Sequence, residues 1–296
     1  MKLGALGDFV QATGLFQDIR AHEKTAHLTL ITGPKMKALA ADCPWFDEVI
    51  YLDRRAPVWW QPNSWRTLKR QLSGFDMVYD LQNSDRRWLY HLLAGRPTWC
   101  GNVWGADYRQ DNLTALRQRH SFERLRDLVN RAGVKTDHWP DVRYAAQPAT
   151  KDRKRLGLKK YVVLVPGSSA ANAHKRWPHY GALAKKLKAQ GLQGVFLGGP
   201  DELDLLAHLS ADTGWPHLAH NPLGEIIDLL DHATAVVGND TGFLHIAAAL
   251  GKPAITLFGG AGLPPSKAAP VGPKAKVLFK DPLPLITVAD VMKALP

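Results

Sequence analysis

The feature that most constrains this chain is a repeating alternation. Short runs of apolar, often β-branched residues close in turns rich in glycine, and each turn opens onto a stretch with helical periodicity. The second half shows it most cleanly. Strand-like runs at 161–165, 194–197, 235–237 and 254–258 are interleaved with helical stretches at 180–190, 223–232 and 241–250, and a terminal helix is expected over 288–294. The first half repeats the pattern, with helical stretches at 9–21 and 36–41 and strand-like runs at 27–31, 49–52 and 77–81. Alternation of this kind implies βαβ units and parallel sheets, hence an α/β fold. The Gly-, Trp- and Asn-rich segment 99–111 reads as a loop and 117–132 as a basic helix. Segment 137–150, with Pro140 and Pro148 and little periodicity, reads as a linker between domains 1–150 and 151–296.

A length of 296 residues suits two domains of this size. No run approaches the roughly 18 to 20 apolar residues of a membrane span, and no signal-peptide pattern opens the chain. The two cysteines, Cys43 and Cys100, lack metal-ligand spacing and are expected to be reduced thiols in a cytoplasmic protein. The net charge of +11 suggests an anionic partner. Locally, eight arginines lie between Arg86 and Arg126 against Asp107, Asp111 and Glu123, either as an anion-binding surface or as a solvated face. No nucleic-acid-binding module is recognisable.

Four segments carry chemistry. In Gly238-Asn239-Asp240-Thr241-Gly242 a strand is expected to end at Gly238 and a helix to begin at Thr241. The unpaired N–H groups and dipole of that helix make an anion site, while Asp240 could equally be an ordinary N-cap. His245 lies one turn along, facing the same mouth. In Val165-Pro166-Gly167-Ser168-Ser169 a strand enters a small-residue loop, and Lys175-Arg176-Trp177-Pro178 opens the next helix. These residues suit phosphate oxygens or form a solvated basic loop. Leu197-Gly198-Gly199-Pro200-Asp201-Glu202 places carboxylates just past a strand end, where they could accept ribose hydroxyls or lie on an ordinary turn. Gly4-Ala5-Leu6-Gly7-Asp8 sets Asp8 at a helix start, as an N-cap or a general base.

Together these segments resemble the heptosyltransferase family (glycosyltransferase family 9) of lipopolysaccharide synthesis. The shared patterns are Leu-Gly-Asp near the start, Pro-Gly-Ser with Lys-Arg-Trp-Pro, Gly-Gly-Pro-x-Glu, and Asn-Asp-Thr-Gly-x-x-His-x-x-Ala-Ala. The resemblance implies a GT-B fold, two Rossmann-like domains facing a central cleft, and an inverting, metal-independent transfer of a sugar from a nucleotide diphosphate. The family default is heptose from ADP-heptose. It implies Asp8 as catalytic base and Thr241 and Gly242 as diphosphate ligands. Ser168, Ser169 and Lys175 would bind phosphates and stabilise the leaving group, Glu202 would accept from the ribose, and Asp240 and His245 would line the donor pocket. No Asp-x-Asp metal motif is present, and no cofactor is expected. Family members begin with an apolar strand before the Leu-Gly-Asp segment. Here only Met1-Lys2 stands in that place, so the first strand reads as truncated, by a start upstream or in a compromised form.

The acceptor is expected on the N-terminal domain. Trp59, Trp60, Trp65, Trp88, Trp99 and Trp104 lie among Arg54, Arg55, Arg66, Arg86, Arg87 and Arg109. Aromatic faces stack on sugars and guanidinium groups pair with phosphate, so an acidic glycolipid or surface glycan fits, with peripheral association at the cytoplasmic membrane face. Arg54, Arg86, Arg87 and Trp88 are the acceptor candidates. Two other readings remain open: a non-catalytic nucleotide-sugar-binding paralogue and a nucleotide-sugar epimerase of the same fold.

Overall fold

A computed structural model describes all residues except 53–61, 83–86, 150, 151, 153, 155, 169–174 and 261, together with the side chains of Pro62, Arg87 and Leu113. It divides into two compact units, Met1–His138 and Trp139–Pro296.

The first unit runs α1 (Leu6–His22), β1 (Thr29–Thr32), α2 (Lys37–Ala40), β2 (Glu48–Tyr51), α3 (Pro62–Leu72), β3 (Met77–Tyr79), α4 (Arg87–Leu93), β4 (Thr98–Cys100), α5 (Leu113–Leu116) and α6 (Ser121–Arg131). Its strands form two parallel pairs, β1 with β2 and β3 with β4. Met1–Leu3 lies between the pairs and bonds to both. Lys2 N donates to Ile31 O at 3.0 Å and Leu81 N to Met1 O at 3.0 Å. An apolar pocket lined by Phe16, Ile19, Leu30, Phe46 and Val78 adjoins this segment.

Segment 99–111, expected as a loop, begins instead in strand β4. Trp99 pairs with Val78 and is 1% exposed, so it belongs to the core with Leu52, Leu72 and Tyr90 rather than to an exposed aromatic platform. The basic helix expected over 117–132 begins at Ser121, where the His120 ring accepts from Phe122 N at 3.2 Å.

The second unit runs β5 (Tyr161–Val165), α7 (Tyr180–Ala189), β6 (Gln193–Leu197), α8 (Leu203–Thr213), β7 (His217–Leu218), α9 (Leu223–His232), β8 (Ala235–Asn239), α10 (Gly242–Ala249), β9 (Ala254–Phe258), α11 (Pro265–Ala268), β10 (Ala275–Phe279) and α12 (Val288–Ala294). Its six strands form one parallel sheet in the order β10-β9-β8-β5-β6-β7. Strands β5, β8 and β9 are buried throughout, which explains why they read as continuous apolar runs rather than alternating ones. Trp177, Tyr180, Leu183 and Leu187 pack on one face of the sheet with Trp215, Ile286 and Val291.

Most of the segment expected as a linker packs onto this unit. Val142, Ala145 and Ala149 are buried. Gln147 N bonds Gly224 O at 3.0 Å, and Ala149 N bonds the Asp228 carboxylate at 3.0 Å. The low periodicity of 137–150 therefore reflects an irregular chain anchored by backbone donors.

Candidate functional site

The strand order of the second unit reverses direction between β5 and β8. The connection after β5 leads toward β6 on one side and that after β8 toward β9 on the other, so the two loops part at this switch point, where open parallel sheets form a ligand crevice. Three of the four motif segments read from the sequence meet around it: the loop after β5 with the approach to α7, the turn from β8 into α10, and the turn after β6.

In the β8–α10 turn the helix begins at Gly242, one residue later than expected, with Thr241 as its N-cap in extended conformation. Asp240 is therefore not the cap. Its carboxylate reaches sideways, 3.5 Å from Lys175 Nζ and 3.8 Å from His245 Nε2. Thr241 makes no side-chain capping bond, and its hydroxyl is buried with no hydrogen-bond partner among the described residues. The N–H groups of Gly242 and Phe243 at the start of α10 precede the first intrahelical bond, Leu244 N to Thr241 O at 3.1 Å, and carry the positive end of the dipole. A buried, unused hydroxyl beside such donors is an arrangement that an anion would complete.

Across the crevice Ser168 is buried, and its backbone carbonyl accepts from Arg176 Nη2 at 2.9 Å. The Arg176 Nε is buried without a partner among the described residues, a second unused donor on the same wall. Lys175 is held from a third side by Gly262, which adopts φ +99°. The positive φ favours glycine at this position, and a Cβ there would lie 2.9 Å from Lys175 Cε and crowd the end of that side chain.

Glu202 lies in a short 3₁₀ turn at Pro200–Glu202, leading into α8, and accepts from Gly199 N at 2.8 Å. Its carboxylate reaches back beneath the β5 loop: a Cβ built on Gly167 would overlap it. The half-buried Glu202 thus bridges the ends of β5 and β6 at the rim of the crevice.

Of the expected donor residues, Ser168, Lys175, Glu202, Asp240, Thr241, Gly242 and His245 come together here. Ser169 lies outside the described residues. Asp8 belongs to the other unit. It is exposed in the first turn of α1, whose N-cap is Ala5, so Asp8 does not cap that helix. Among the acceptor candidates, Arg54 and Arg86 and the side chain of Arg87 lie outside the described residues, and Trp88 is 61% exposed on α4. Trp104, at 84% exposed, is the more open aromatic. The sequence reading gave no role to Gly262 or to the contact of Arg176 with Ser168. The Gly-Gly pair after the apolar run of β9 was the available signal for the first.

Two α/β units of Rossmann type, one with an anion-ready crevice at the switch point of its sheet, define a protein of the GT-B class. The chain belongs to glycosyltransferase family 9 (heptosyltransferase), whose sequence model matches residues 64–287. It is 28% identical over 230 residues to lipopolysaccharide heptosyltransferase 2 of Escherichia coli K12, covering 69% of this chain and 65%, just under two thirds, of that relative. A family 9 glycosyltransferase of Veillonella parvula superposes with a TM-score of 0.83 at 20% identity, covering 99% of this chain and 93% of the other. The Escherichia coli heptosyltransferase WaaC, solved with ADP, gives 0.74 at 18% identity, with 99% and 98% covered. These two likenesses establish the fold. No described helix is long and apolar enough to cross a membrane.

Proposed function

We propose that this chain is an inverting, metal-independent glycosyltransferase that moves a sugar, heptose by the family's default, from an ADP-linked donor to a lipopolysaccharide-type or other surface-glycan acceptor. The observation that carries the reading is the crevice between β5 and β8, where Lys175, the buried Thr241 hydroxyl and the start of α10 converge. Sugar transfer leaves growing negative charge on the departing diphosphate. Donors already fixed in place stabilise that charge without reorganising at the moment of reaction. On this reading Thr241, Gly242 and Ser168 bind the diphosphate and Lys175 offsets its charge, with Ser169 assigned alongside Ser168 on sequence grounds. Glu202 accepts from the ribose. Asp240 and His245 hold the Lys175 side of the pocket.

Asp8 serves as the base that takes the acceptor's hydroxyl proton as that oxygen attacks the anomeric carbon. Arg54, Arg86, Arg87 and Trp88 on the first unit bind the acidic acceptor, and the protein associates peripherally with the cytoplasmic membrane face. Family membership, together with a relative solved with ADP, supports the donor assignment.

The test is Asp8→Asn. Transfer from ADP-heptose to a heptose-deficient lipopolysaccharide acceptor is expected to vanish while ADP binding stays at the wild-type level. Normal turnover by that variant would remove Asp8 from the mechanism. Absence of ADP binding by the wild type would remove the donor assignment.

A further inference from the structure

The ladder between β5 and β8 ends at the pair Val165–Gly238. One residue further, the strands part around the crevice and the carbonyls of Pro166 and Gly167 lose their strand partner. A single side chain closes this gap. Asn239, 0% exposed, donates through Nδ2 to Pro166 O at 2.8 Å and to Gly167 O at 3.1 Å. Its Oδ1 accepts from Trp177 N at 3.1 Å and from the Tyr180 hydroxyl at 3.0 Å. Two carbonyls on one side and two donors on the other fix which end is nitrogen and which oxygen. The amide's two donor hydrogens and two acceptor sites are thereby all used within the protein. Burial pushes the Tyr180 hydroxyl well above its ordinary range, so it remains a donor to Oδ1.

Two of these four bonds end beside residues of the candidate donor site, and Asn239 itself borders it. Gly167 precedes Ser168, Trp177 follows Lys175 and Arg176, and Asn239 itself precedes Asp240 and Thr241. We propose that Asn239 is the positioning residue of the donor crevice, setting the β5 loop, the Lys175–Arg176 segment and the β8–α10 turn at the mutual distances a diphosphate requires. This rests on the donor-site reading above. Asn239 does not touch the donor; it acts through the loops it joins. A misplacement of about 1 Å can cost up to about a hundredfold in rate at a catalytic site, and the loops that would be misplaced here are those that hold the diphosphate.

The experiment uses the full chain and ADP as the probe, read by calorimetry, with the melting temperature of the ligand-free protein measured alongside. In Asn239→Asp the ionised carboxylate faces two carbonyls and holds neither. ADP affinity at pH 8 is expected to fall about tenfold or more. A buried carboxyl among carbonyls has a raised pKa, and its neutral form regains a donor. The ratio of variant to wild-type affinity is therefore expected to recover as the pH is lowered toward about 5.5. Tyr180→Phe keeps the ring and removes one bond to Oδ1, so a smaller loss of about threefold is expected; this variant decides the matter if Asn239→Asp does not fold. A lowered melting temperature with unchanged ADP affinity in the folded variants would make Asn239 a structural residue only and overturn the proposal. Failure of the wild type to bind ADP would instead overturn the donor-site reading, and the proposal with it.

Discussion

Lys175 Nζ lies 3.5 Å from Asp240 Oδ2, and the two side chains are 22% and 20% exposed. The pair joins the entry to α7 with the turn into α10. It is too open to be a buried ion pair and too enclosed to be an ordinary surface one. Asp240 holds the ammonium at the crevice mouth without satisfying all three of its hydrogens, which leaves the cation able to accept an anionic ligand. Lys175→Met is expected to lower turnover by about a hundredfold or more, the scale of losing one preorganised donor to a developing charge. Steady-state kinetics with saturating donor would show it. Turnover within about twofold of wild type would exclude Lys175 from leaving-group stabilisation.

Thr241 gives a test in which stability and binding move in opposite directions. Its buried hydroxyl has no partner among the described residues, and an unsatisfied buried polar group costs roughly 1–3 kcal/mol. Thr241→Val keeps the shape and removes the group. The melting temperature without ligand is expected to hold or rise, while ADP binding weakens by roughly 1 kcal/mol, about fivefold. A fall in both would show that the hydroxyl serves the fold.

Gly167 and Glu202 are coupled by contact. A Cβ at position 167 would overlap the Glu202 carboxylate, so Gly167→Ala is expected to displace Glu202 and weaken nucleotide binding about tenfold, with a loss of stability of about 1–3 kcal/mol. Gly167→Ala combined with Glu202→Ala is expected to recover the stability and not the affinity. Chemical denaturation and ADP titration of the single and double variants measure this directly. Additive losses of stability would contradict the contact.

Cys100 is buried, and burial, followed by the nearby Asp80, pushes its thiol up to about 12. Only the thiolate reacts with disulfide reagents. The native protein is expected to leave Cys100 unmodified at pH 8 and to expose it in denaturant. Rapid labelling of Cys100 by mass spectrometry in the native protein would contradict the packing of β4 against α6, where its Sγ lies 3.4 Å from Leu128 O.

Much of the second unit was legible because β5, β8 and β9 are buried throughout and α7, α9 and α10 are long enough to show a period. Phe243 to Ala249 reads as helix on pattern alone, and only the cap shifted, from Asp240 to Thr241. The first unit was harder. Strand β4 has three residues, too few for alternation to register, and Trp99 becomes a core residue only through its pairing with Val78. Flanking glycine and asparagine pulled that reading toward loop. In the candidate site, the residue types that meet phosphate were legible from local motifs. What fixes them was not. The partners of Asn239 lie 59 to 73 positions away in the chain, a distance at which no window of sequence can pair an amide with two carbonyls and a tyrosine. Glu202 was likewise readable as an acid past a strand end, whereas its place under Gly167 follows from the neighbouring register of β5 and β6.

A nucleoside diphosphate is expected to occupy the crevice between β5 and β8. Amide hydrogen exchange, followed by mass spectrometry with and without ADP, tests it most directly. Occupancy is expected to slow exchange in the peptides containing Gly167–Ser168 and Thr241–Gly242–Phe243, and to leave α6 and β4 of the first unit unchanged. Unaltered exchange in both of those peptides at saturating ADP, or protection confined to other elements, would contradict it.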